Sequence, residues 1–155
     1  MSSNEQINVL YVDDEESNLV AFKASFRRLF NIHTAISADE AKIIIAQNEI
    51  HVLISDQRMP GTLGTELLAY ALKEYPFLIR ILLTGFSDIN ALKEAINQGQ
   101  IYHYLQKPWK DDELKTTIEE AYKVYQLKKK QKELHEQLLQ TNGQLEFMLR
   151  QKLLS

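Results

Sequence analysis

The amino-acid sequence predicts a doubly wound α/β fold, in which a parallel five-stranded sheet carries helices on both of its faces. Five short apolar segments alternate with amphipathic segments of helical periodicity, and this alternation is typical of strand–helix–strand units. Several of the apolar segments are hydrophobic at nearly every position, as strands covered on both faces are. The carboxyl ends of parallel strands share one edge of such a sheet, and ligands bind there.

The five strands are expected where short runs of Val, Ile, Leu and Tyr lie between polar or turn-forming residues. The first run, INVLYV, is followed directly by four acidic residues, and the third run, HVLIS, is followed by Asp56. The expected strand ranges are 7–12, 32–36, 51–55, 78–84 and 101–105.

The first two helices are predicted from apolar spacing and from capping residues. The segment 17–30 carries apolar residues three or four positions apart, at Leu19, Phe22, Phe26 and Leu29. The second helix is expected to cover 40–47. Either Ser37 or Asp39 can cap it, because both side chains accept hydrogen bonds from the backbone N–H groups of a first helical turn.

The remaining helices follow from the same kind of pattern. The third is expected over 64–75, where the apolar residues are Leu67, Leu68, Ala71 and Leu72. The fourth is expected over 88–98, between a capping Asp88 and a terminating Gly99, with apolar residues at Ile89, Leu92 and Ile96. The fifth begins near Asp111.

The last predicted helix continues far beyond the length that a small domain needs. Residues 118–154 contain no proline and one glycine, Gly143, which costs a helix about 1 kcal/mol relative to alanine. A heptad pattern that is mostly apolar predicts a coiled coil between two chains, because a long unpaired helix is marginally stable. Packing against another segment and a frayed tail remain alternatives. The a positions are Val124, Gln131, Leu138, Leu145 and Lys152, and the d positions are Leu127, Leu134, Thr141 and Met148.

Composition excludes several classes of function. The chain has no cysteine, so it can form neither a disulfide nor a thiolate metal site, and its four histidines are scattered along the sequence. The net charge of -3 gives no general attraction to nucleic acid, and no apolar run approaches the length of a membrane span. The N-terminus lacks the features of a signal peptide. We therefore expect a cytoplasmic protein that binds neither nucleic acid nor membrane directly.

Polar residues with complementary chemistry follow the predicted strands. Asp13 and Asp14 follow the first strand and Asp56 the third, while Thr84 ends the fourth and Lys107 follows the fifth. Clustered carboxylates attract Mg²⁺, which prefers oxygen ligands and keeps several waters. One carboxylate can attack phosphorus, while an ammonium and a hydroxyl contact phosphoryl oxygens. The residues thus predict a phosphoryl-transfer site.

The two glutamates after this aspartate pair have a simpler explanation. Glu15 and Glu16 are expected to begin the first helix, because acidic side chains are favourable at a helix N-terminus. The basic run at 128–132 is expected to form a solvated helix face.

Four segments together resemble the receiver domain of two-component response regulators. They are YVDDE at the first strand, SDQRMPGTLGTELL around Asp56, LLTG at the fourth strand and YLQKPW at the fifth. The resemblance covers roughly residues 7–126. It implies a flavodoxin-like strand order of 2-1-3-4-5, with a receiver domain over 1–126. Residues 127–155 would then form a helical coiled-coil extension or a linker to an output domain.

The resemblance also implies roles for individual residues. Asp56 would be the phosphoacceptor. Asp13, Asp14 and Asp56 would bind Mg²⁺ together with the backbone carbonyl of Arg58. Met59-Pro60 and Gly64 match the loop that follows the acceptor in this family.

Three further residues would respond to the phosphoryl group. Thr84 and Tyr104 would form the switch pair, in which the hydroxyl moves to the phosphoryl group and the ring turns inward. Lys107 would contact the phosphoryl group and precede a cis bond to Pro108. One departure from the family is glycine rather than alanine after Thr84. The surrounding stretch resembles receivers that precede cyclic-dinucleotide enzymes or phosphatase domains.

The function expected from this resemblance is that of a bacterial signalling switch. A sensor histidine kinase or a phosphotransfer protein would phosphorylate Asp56, and the C-terminal helix would carry the signal into a homodimer or an output domain. The chain would catalyse only its own phosphorylation and dephosphorylation. Two alternatives are a stand-alone phosphohydrolase, although such enzymes use a DxD pair that is absent here, and a constitutive coiled-coil scaffold with a vestigial acidic site.

Overall fold

The computed structural model describes residues 6–85 and 89–154. The predicted capping residue Asp88 lies outside the described residues. The elements are β1 (Asn8–Val12), α1 (Glu16–Phe26), β2 (Asn31–Ala35), α2 (Ala38–Gln47), β3 (Val52–Asp56), α3 (Gly64–Glu74), β4 (Ile79–Thr84), α4 (Ile89–Asn97), β5 (His103–Gln106) and α5 (Asp111–Leu154). The chain forms two compact units, which divide within α5 between Tyr125 and Gln126.

The first unit contains one sheet of five parallel strands in the order β2-β1-β3-β4-β5. This confirms both the predicted fold class and the strand order. The register pairs Val12 with Ser55 and Asp56 with Leu83, so β1, β3 and β4 end at the same edge of the sheet, each one residue beyond its neighbour. The same edge continues to β5, where Thr84 pairs with Gln106.

Two hydrophobic clusters cover the two faces of the sheet. Neighbouring residues of one strand belong to different clusters, as the alternation of side chains along a strand requires. Leu10 and Leu53 pack with residues of α2 and α3, whereas Tyr11 and Ile54 pack with residues of α1 and α5. The continuous hydrophobicity of the central strands is therefore explained by burial on both faces.

The helix ends agree with most of the predicted caps. The Ser37 hydroxyl accepts a hydrogen bond from the Glu40 amide at 3.1 Å, so Ser37 rather than Asp39 caps α2. Glu15 is the N-cap of α1, and Glu16 begins the helix, as expected for acidic residues. Gly99 follows α4 with a φ of 74°, a backbone conformation that favours glycine.

Two apolar residues, Leu29 and Ile96, are exposed, although their helical spacing predicted that they face the core. The helix α1 ends at Phe26, and the turn that follows exposes Leu29 and buries Phe30. In α4, Leu92 and Ala95 are buried, whereas Ile96 is 41% exposed. Helical periodicity fails at Leu29 because the helix has already ended.

A buried arginine links β4 to the segment after α4. The Arg80 guanidinium donates hydrogen bonds to three backbone carbonyls, those of Leu78 at 2.8 Å, Gly99 at 3.2 Å and Gln100 at 2.9 Å. Burial lowers the pKa of Arg80 from its ordinary value. This side chain joins the C-terminal side of α4 to the sheet.

The second unit consists of residues from Gln126 onward and is helical as far as Leu154. The helix is not interrupted at Asn142-Gly143. Its apolar residues at heptad positions are exposed, namely Leu127, Leu134, Leu138, Leu145 and Met148. Among the residues that the structure describes, no helix is long and apolar enough to cross a membrane.

Candidate functional site

The three aspartates predicted from the strand ends lie together. One carboxylate oxygen from each of Asp13, Asp14 and Asp56 lies within 4.8 Å of the other two. Asp13 is fully buried, Asp56 is partly buried and Asp14 is exposed, so the cluster opens to solvent on one side. The register of β1 against β3 produces this arrangement, because Val12 pairs with Ser55 and the next residue of each strand segment is an aspartate, Asp13 or Asp56.

Lys107 lies between two of these carboxylates. Its Nζ atom is 2.8 Å from Asp13 Oδ2 and 3.3 Å from Asp56 Oδ1. The Lys107 amide donates to the Thr84 carbonyl at 3.0 Å, and the Lys107–Pro108 peptide bond is cis, as the resemblance implied. The ammonium group partly offsets the repulsion between the aspartates.

The carboxylate of Asp13 accepts four hydrogen bonds. Its Oδ2 atom accepts from the Tyr11 hydroxyl at 2.6 Å, from Asn18 Nδ2 at 3.1 Å and from Lys107. Its Oδ1 atom accepts from the Glu15 amide at 2.9 Å. Asp13 is therefore held in one orientation at the base of the cluster.

Tyr11 and Asn18 were not predicted as site residues. Tyr11 belongs to a strand whose neighbouring residues, Leu10 and Val12, are apolar. The only signal in the sequence was the polar hydroxyl of a ring that must be buried. Asn18 lies in the first turns of α1, where an amide has no obvious role in the sequence. Both become site residues because α1 and β1 converge on the same carboxylate.

The pKa values at this site follow from burial and from Lys107. Burial favours the neutral form of Asp13, but hydrogen bonds from Lys107 and Tyr11 outweigh burial and hold its pKa below the ordinary value. Burial raises the pKa of Asp56, and the attraction of Lys107 reduces this effect without cancelling it. Burial works against the ammonium form of Lys107, yet its pKa is raised because Asp13 and Asp56 stabilise the charge. Burial and the bond to Asp13 raise the pKa of Tyr11.

The loop after Asp56 is fixed by backbone contacts. The Gln57 amide donates to Asp56 Oδ1 at 2.8 Å, and the Gln57 side chain accepts from the Thr65 amide at 2.8 Å. The Gly64 amide donates to the Gln57 carbonyl at 2.9 Å. A Cβ atom on Gly64 would overlap the carbonyl oxygen of Asp56, so only glycine fits here.

The two predicted switch residues differ in burial, since Thr84 is buried and Tyr104 is exposed. Thr84 is buried at the end of β4, and its hydroxyl donates to the Gly85 carbonyl at 3.3 Å. Tyr104 is 39% exposed on β5 and lines a groove of about 540 Å³ together with Trp109 and Glu113. The side chain of Arg58, whose carbonyl was predicted as a metal ligand, is exposed.

Trp109 connects the site to the aromatic part of the core. Its ring lies edge-on to Tyr11 and to Phe22, with centroid distances of 5.9 Å in both cases. Tyr11 also stacks on Phe22 at 4.5 Å. Trp109 therefore packs against the aromatic residues that lie beneath the acidic cluster.

The donor set fits a hard divalent cation. Carboxylate oxygens are the ligands that Mg²⁺ prefers, and exposed Asp14 leaves room for the waters that this ion retains. The neighbouring ammonium can contact an anionic group that approaches Asp56. Chemically, the site can hold a cation and present one carboxylate to a phosphoryl group.

Comparison with known proteins gives a consistent picture of the first unit. The sequence model of the response regulator receiver domain matches residues 9–119. The hydrogenase transcriptional regulatory protein HoxA of Cupriavidus necator is 35% identical over 119 residues, which are 77% of this chain and 25% of that protein. The chain spans about a quarter of the length of the curated relatives it matches.

Solved structures are similar over most of the chain. A structure described as adenylate cyclase from Rhodopirellula baltica has a TM-score of 0.81 and 32% identity, covering 85% of this chain and 98% of that one. The signal receiver domain of an HD domain-containing protein from Pseudomonas fluorescens Pf-5 has a TM-score of 0.78 and 32% identity, covering 84% and 96%. The names of these proteins describe a transcriptional regulator, an adenylate cyclase and an HD domain-containing protein. The similarities therefore do not indicate one kind of output domain.

Proposed function

Because the chain belongs to the response regulator receiver family, whose members are signalling domains, we propose that Asp56 accepts a phosphoryl group in a Mg²⁺-dependent reaction. The donor is a sensor histidine kinase or a phosphotransfer protein, the partners with which receivers of this family interact. The reaction takes place in the cytoplasm of a bacterium. The chain catalyses its own phosphorylation and dephosphorylation and no other reaction.

The observation that carries this proposal is the position of Asp56. Its carboxylate lies at the end of β3, is 15% exposed, and has Lys107 Nζ at 3.3 Å from Oδ1. The Gln57 amide also donates to Oδ1, which leaves Oδ2 as the oxygen that we assign as the nucleophile. A carboxylate that is fixed at one oxygen and accessible is suited to attack on phosphorus.

The transfer step is a substitution at phosphorus. Asp56 Oδ2 forms a bond to phosphorus while the P–N bond to the donor histidine breaks, and the electron pair of that bond remains on the imidazole nitrogen. Lys107 moves from Asp13 toward a phosphoryl oxygen, where its charge stabilises the product. Dephosphorylation is attack of water on phosphorus, which restores the carboxylate and releases inorganic phosphate.

The aspartate cluster is the site that we propose for Mg²⁺. Asp14, Asp56 and the backbone carbonyl of Arg58 would hold the ion, and Asp13 would contribute from the base of the cluster. When bound, the ion supplies positive charge that neutralises the phosphoryl oxygens. The protein side chains supply orientation, since the hydrogen bonds to Asp13 and Asp56 fix both carboxylates.

The signal would leave the site through two residues and the C-terminal helix. Thr84 would turn its hydroxyl toward the phosphoryl group, and the exposed ring of Tyr104 would move inward. The second unit would form a homodimer through its heptad seam and act as a coiled coil or as a linker to an output domain. The receiver is expected over 1–126 and the extension over 127–155. We propose that this chain contacts neither nucleic acid nor membrane directly.

The proposal is tested by intact-protein mass spectrometry after incubation with Mg²⁺ and acetyl phosphate. Wild-type protein is expected to gain the mass of one phosphoryl group, and Asp56→Asn is expected to gain none. Asp39→Asn serves as the matched control, since Asp39 lies in the first turn of α2 and should leave the gain unchanged. Labelling of Asp56→Asn at the wild-type rate would refute the assignment.

The two alternatives receive less support. A phosphohydrolase would need an acidic pair of the DxD type, whereas Asp13 and Asp14 are adjacent and Asp56 lies on a different strand. A constitutive scaffold would not need the ordered contacts among Asp13, Asp56 and Lys107. Multiple-turnover hydrolysis of a phosphoester would favour the first alternative, and failure of labelling would favour the second.

A further inference from the structure

The Tyr11 hydroxyl is placed against the acidic cluster from within the core. The ring is fully buried against Phe22 and Trp109, and its oxygen is 2.6 Å from Asp13 Oδ2. A buried tyrosine hydroxyl needs a partner, but a strand residue of this kind could satisfy that need with a backbone carbonyl or water. Here the partner is the carboxylate that also holds Lys107.

Asp13 Oδ2 has more donors than a carboxylate oxygen readily accommodates. Tyr11, Asn18 and Lys107 all donate to this atom, although it has two lone pairs. The donors therefore share its negative charge. The Tyr11 bond is the shortest of the three, and it points the positive end of the O–H dipole toward the cluster.

We propose that Tyr11 is a positioning residue of this site, whose hydroxyl limits how strongly Asp13 holds Lys107 and a cation. The inference rests on the proposed function, because its consequence is a ready release of Lys107 toward the phosphorylated Asp56. Lys107 lies 0.5 Å closer to Asp13 than to Asp56, since its two distances are 2.8 Å and 3.3 Å. A third donor on Asp13 Oδ2 weakens the closer contact.

Removal of the Tyr11 hydroxyl is expected to increase the affinity for Mg²⁺ and to decrease the rate of phosphorylation. In Tyr11→Phe the ring remains, but the positive end of a dipole is withdrawn from the cluster, so Mg²⁺ should bind more tightly. The gain should be about threefold to tenfold, the range produced by loss of one hydrogen bond. Lys107 should stay on Asp13 more firmly, so phosphorylation at saturating Mg²⁺ should be slower by a similar factor.

The experiment uses the full chain and its only tryptophan. Trp109 contacts Tyr11, so its fluorescence is suited to reporting Mg²⁺ binding at the cluster, and isothermal calorimetry provides a second measurement. Initial rates of labelling by acetyl phosphate at saturating Mg²⁺ give the second quantity. Thermal unfolding of each variant establishes that it is folded.

Tyr125→Phe is the matched control. Tyr125 is also buried in the first unit, and its hydroxyl also contacts a carboxylate, that of Glu49 at 3.3 Å. The same chemical change there should leave both the Mg²⁺ affinity and the labelling rate unchanged. A difference between the two variants thus reports the position of the hydroxyl rather than the loss of a tyrosine.

The outcomes separate this inference from the proposed function. Tighter Mg²⁺ binding together with slower labelling in Tyr11→Phe would support the inference. Unchanged or weaker Mg²⁺ binding in the folded variant would overturn it while leaving phosphorylation of wild-type Asp56 intact. Wild-type protein that binds Mg²⁺ but is not labelled would refute the proposed function and, with it, the release of Lys107. Wild-type protein that does not bind Mg²⁺ would overturn both.

Discussion

Asp13 and Asp56 are carboxylates in one cluster, yet their surroundings shift their pKa values in opposite directions. Both are desolvated by burial, which favours the neutral form. Asp13 accepts hydrogen bonds from Lys107, Tyr11 and the Glu15 amide, and these lower its pKa overall. Asp56 has fewer such partners and also faces the charge of Asp13, so its pKa remains raised. The ionised carboxylate of Asp13 therefore stabilises the fold, whereas the ionised carboxylate of Asp56 destabilises it.

The two carboxylates should therefore respond oppositely to replacement by asparagine at neutral pH without Mg²⁺. Asp13→Asn removes the charge that Lys107 contacts and is expected to lower the free energy of unfolding by about 2–3 kcal/mol. Asp56→Asn relieves a desolvated charge beside Asp13 and is expected to raise it. Urea-induced unfolding measures both changes.

The pH dependence gives the sign of each contribution. A lowered native pKa makes Asp13 stabilising above its unfolded pKa, and this contribution is lost as the pH falls through the lower native value. The raised native pKa makes ionised Asp56 destabilising, and this cost disappears as the pH falls below its unfolded pKa. The two variants should therefore differ most near neutral pH and converge in acid. A constant difference down to about pH 2, below the ordinary Asp range, would contradict this account.

Residue chemistry explains which site residues the sequence revealed. Asp13, Asp14, Asp56 and Lys107 were predicted to be neighbours from strand ends alone, and the structure brings them together. Tyr11 could not be identified, because periodicity places it in the core without stating where its hydroxyl points. The roles of Thr84, Tyr104 and the Arg58 carbonyl depend on a phosphorylated or metal-bound state and stay predictions.

At the scale of elements, the site depends on how closely α3 approaches β3. The first residue of α3 is Gly64, and a Cβ atom there would overlap the Asp56 carbonyl oxygen and lie 2.9 Å from its carbon. These are backbone atoms, which cannot rotate away as the end of a flexible side chain could. Gly64→Ala should therefore displace the helix or the acceptor loop.

Gly64→Ala is expected to lower the free energy of unfolding by about 1–3 kcal/mol, as overpacking does. It should also slow phosphoryl uptake, because the loop carries Asp56. Gly143→Ala is the control, since in the part of the chain that the structure describes its new Cβ would meet no atom within 4 Å beyond its chain neighbours and the backbone of its own helix. Alanine there should favour the helix by up to about 1 kcal/mol. Thermal unfolding and labelling rates measure both. Unchanged stability of Gly64→Ala would show that α3 yields easily.

Element boundaries were predictable where burial and capping agreed. Strand cores, the cap of α2 and the glycine after α4 followed from local sequence, and the predicted strands differ from the observed ones by at most two residues at either end. Leu29 was assigned to the core because it continues a helical period, but α1 stops at Phe26 and buries Phe30 instead. The end of a helix with no glycine or proline behind it leaves little signal in a sequence.

At the scale of the whole molecule, the sequence of a single chain determines the packing of the first unit but not the packing partner of the second. The first unit packs apolar residues of its strands and helices into two buried clusters, so its sequence specifies its own packing. The second unit exposes the residues at its predicted seam, and its heptads contain Gln131, Thr141 and Lys152. Its partner cannot be deduced from periodicity, because the same apolar stripe serves a second copy or another segment.

Two adjacent leucines allow the proposed homodimer to be tested. Leu138 occupies an a position of the seam and Leu139 a b position outside it, and they are exposed to 57% and 58%. Leu138→Lys would place two ammonium groups across a two-stranded seam and should weaken self-association at least about tenfold. Leu139→Lys, the same change one residue along the helix, should leave it unchanged. Sedimentation equilibrium measures the dissociation constants.

The same pair of variants also tests whether the units act independently at the acceptor site. Leu138 and Leu139 lie in the second unit, whereas Lys107 and Gln57, which contact the Asp56 carboxylate, lie in the first. Both variants should therefore gain one phosphoryl group, as is expected of the wild type. Equal weakening of association by the two lysines would indicate nonspecific contact through the apolar surface, and monomeric wild-type protein would exclude the homodimer. Loss of labelling in Leu138→Lys alone would instead mean that pairing of the helices is required for phosphoryl transfer.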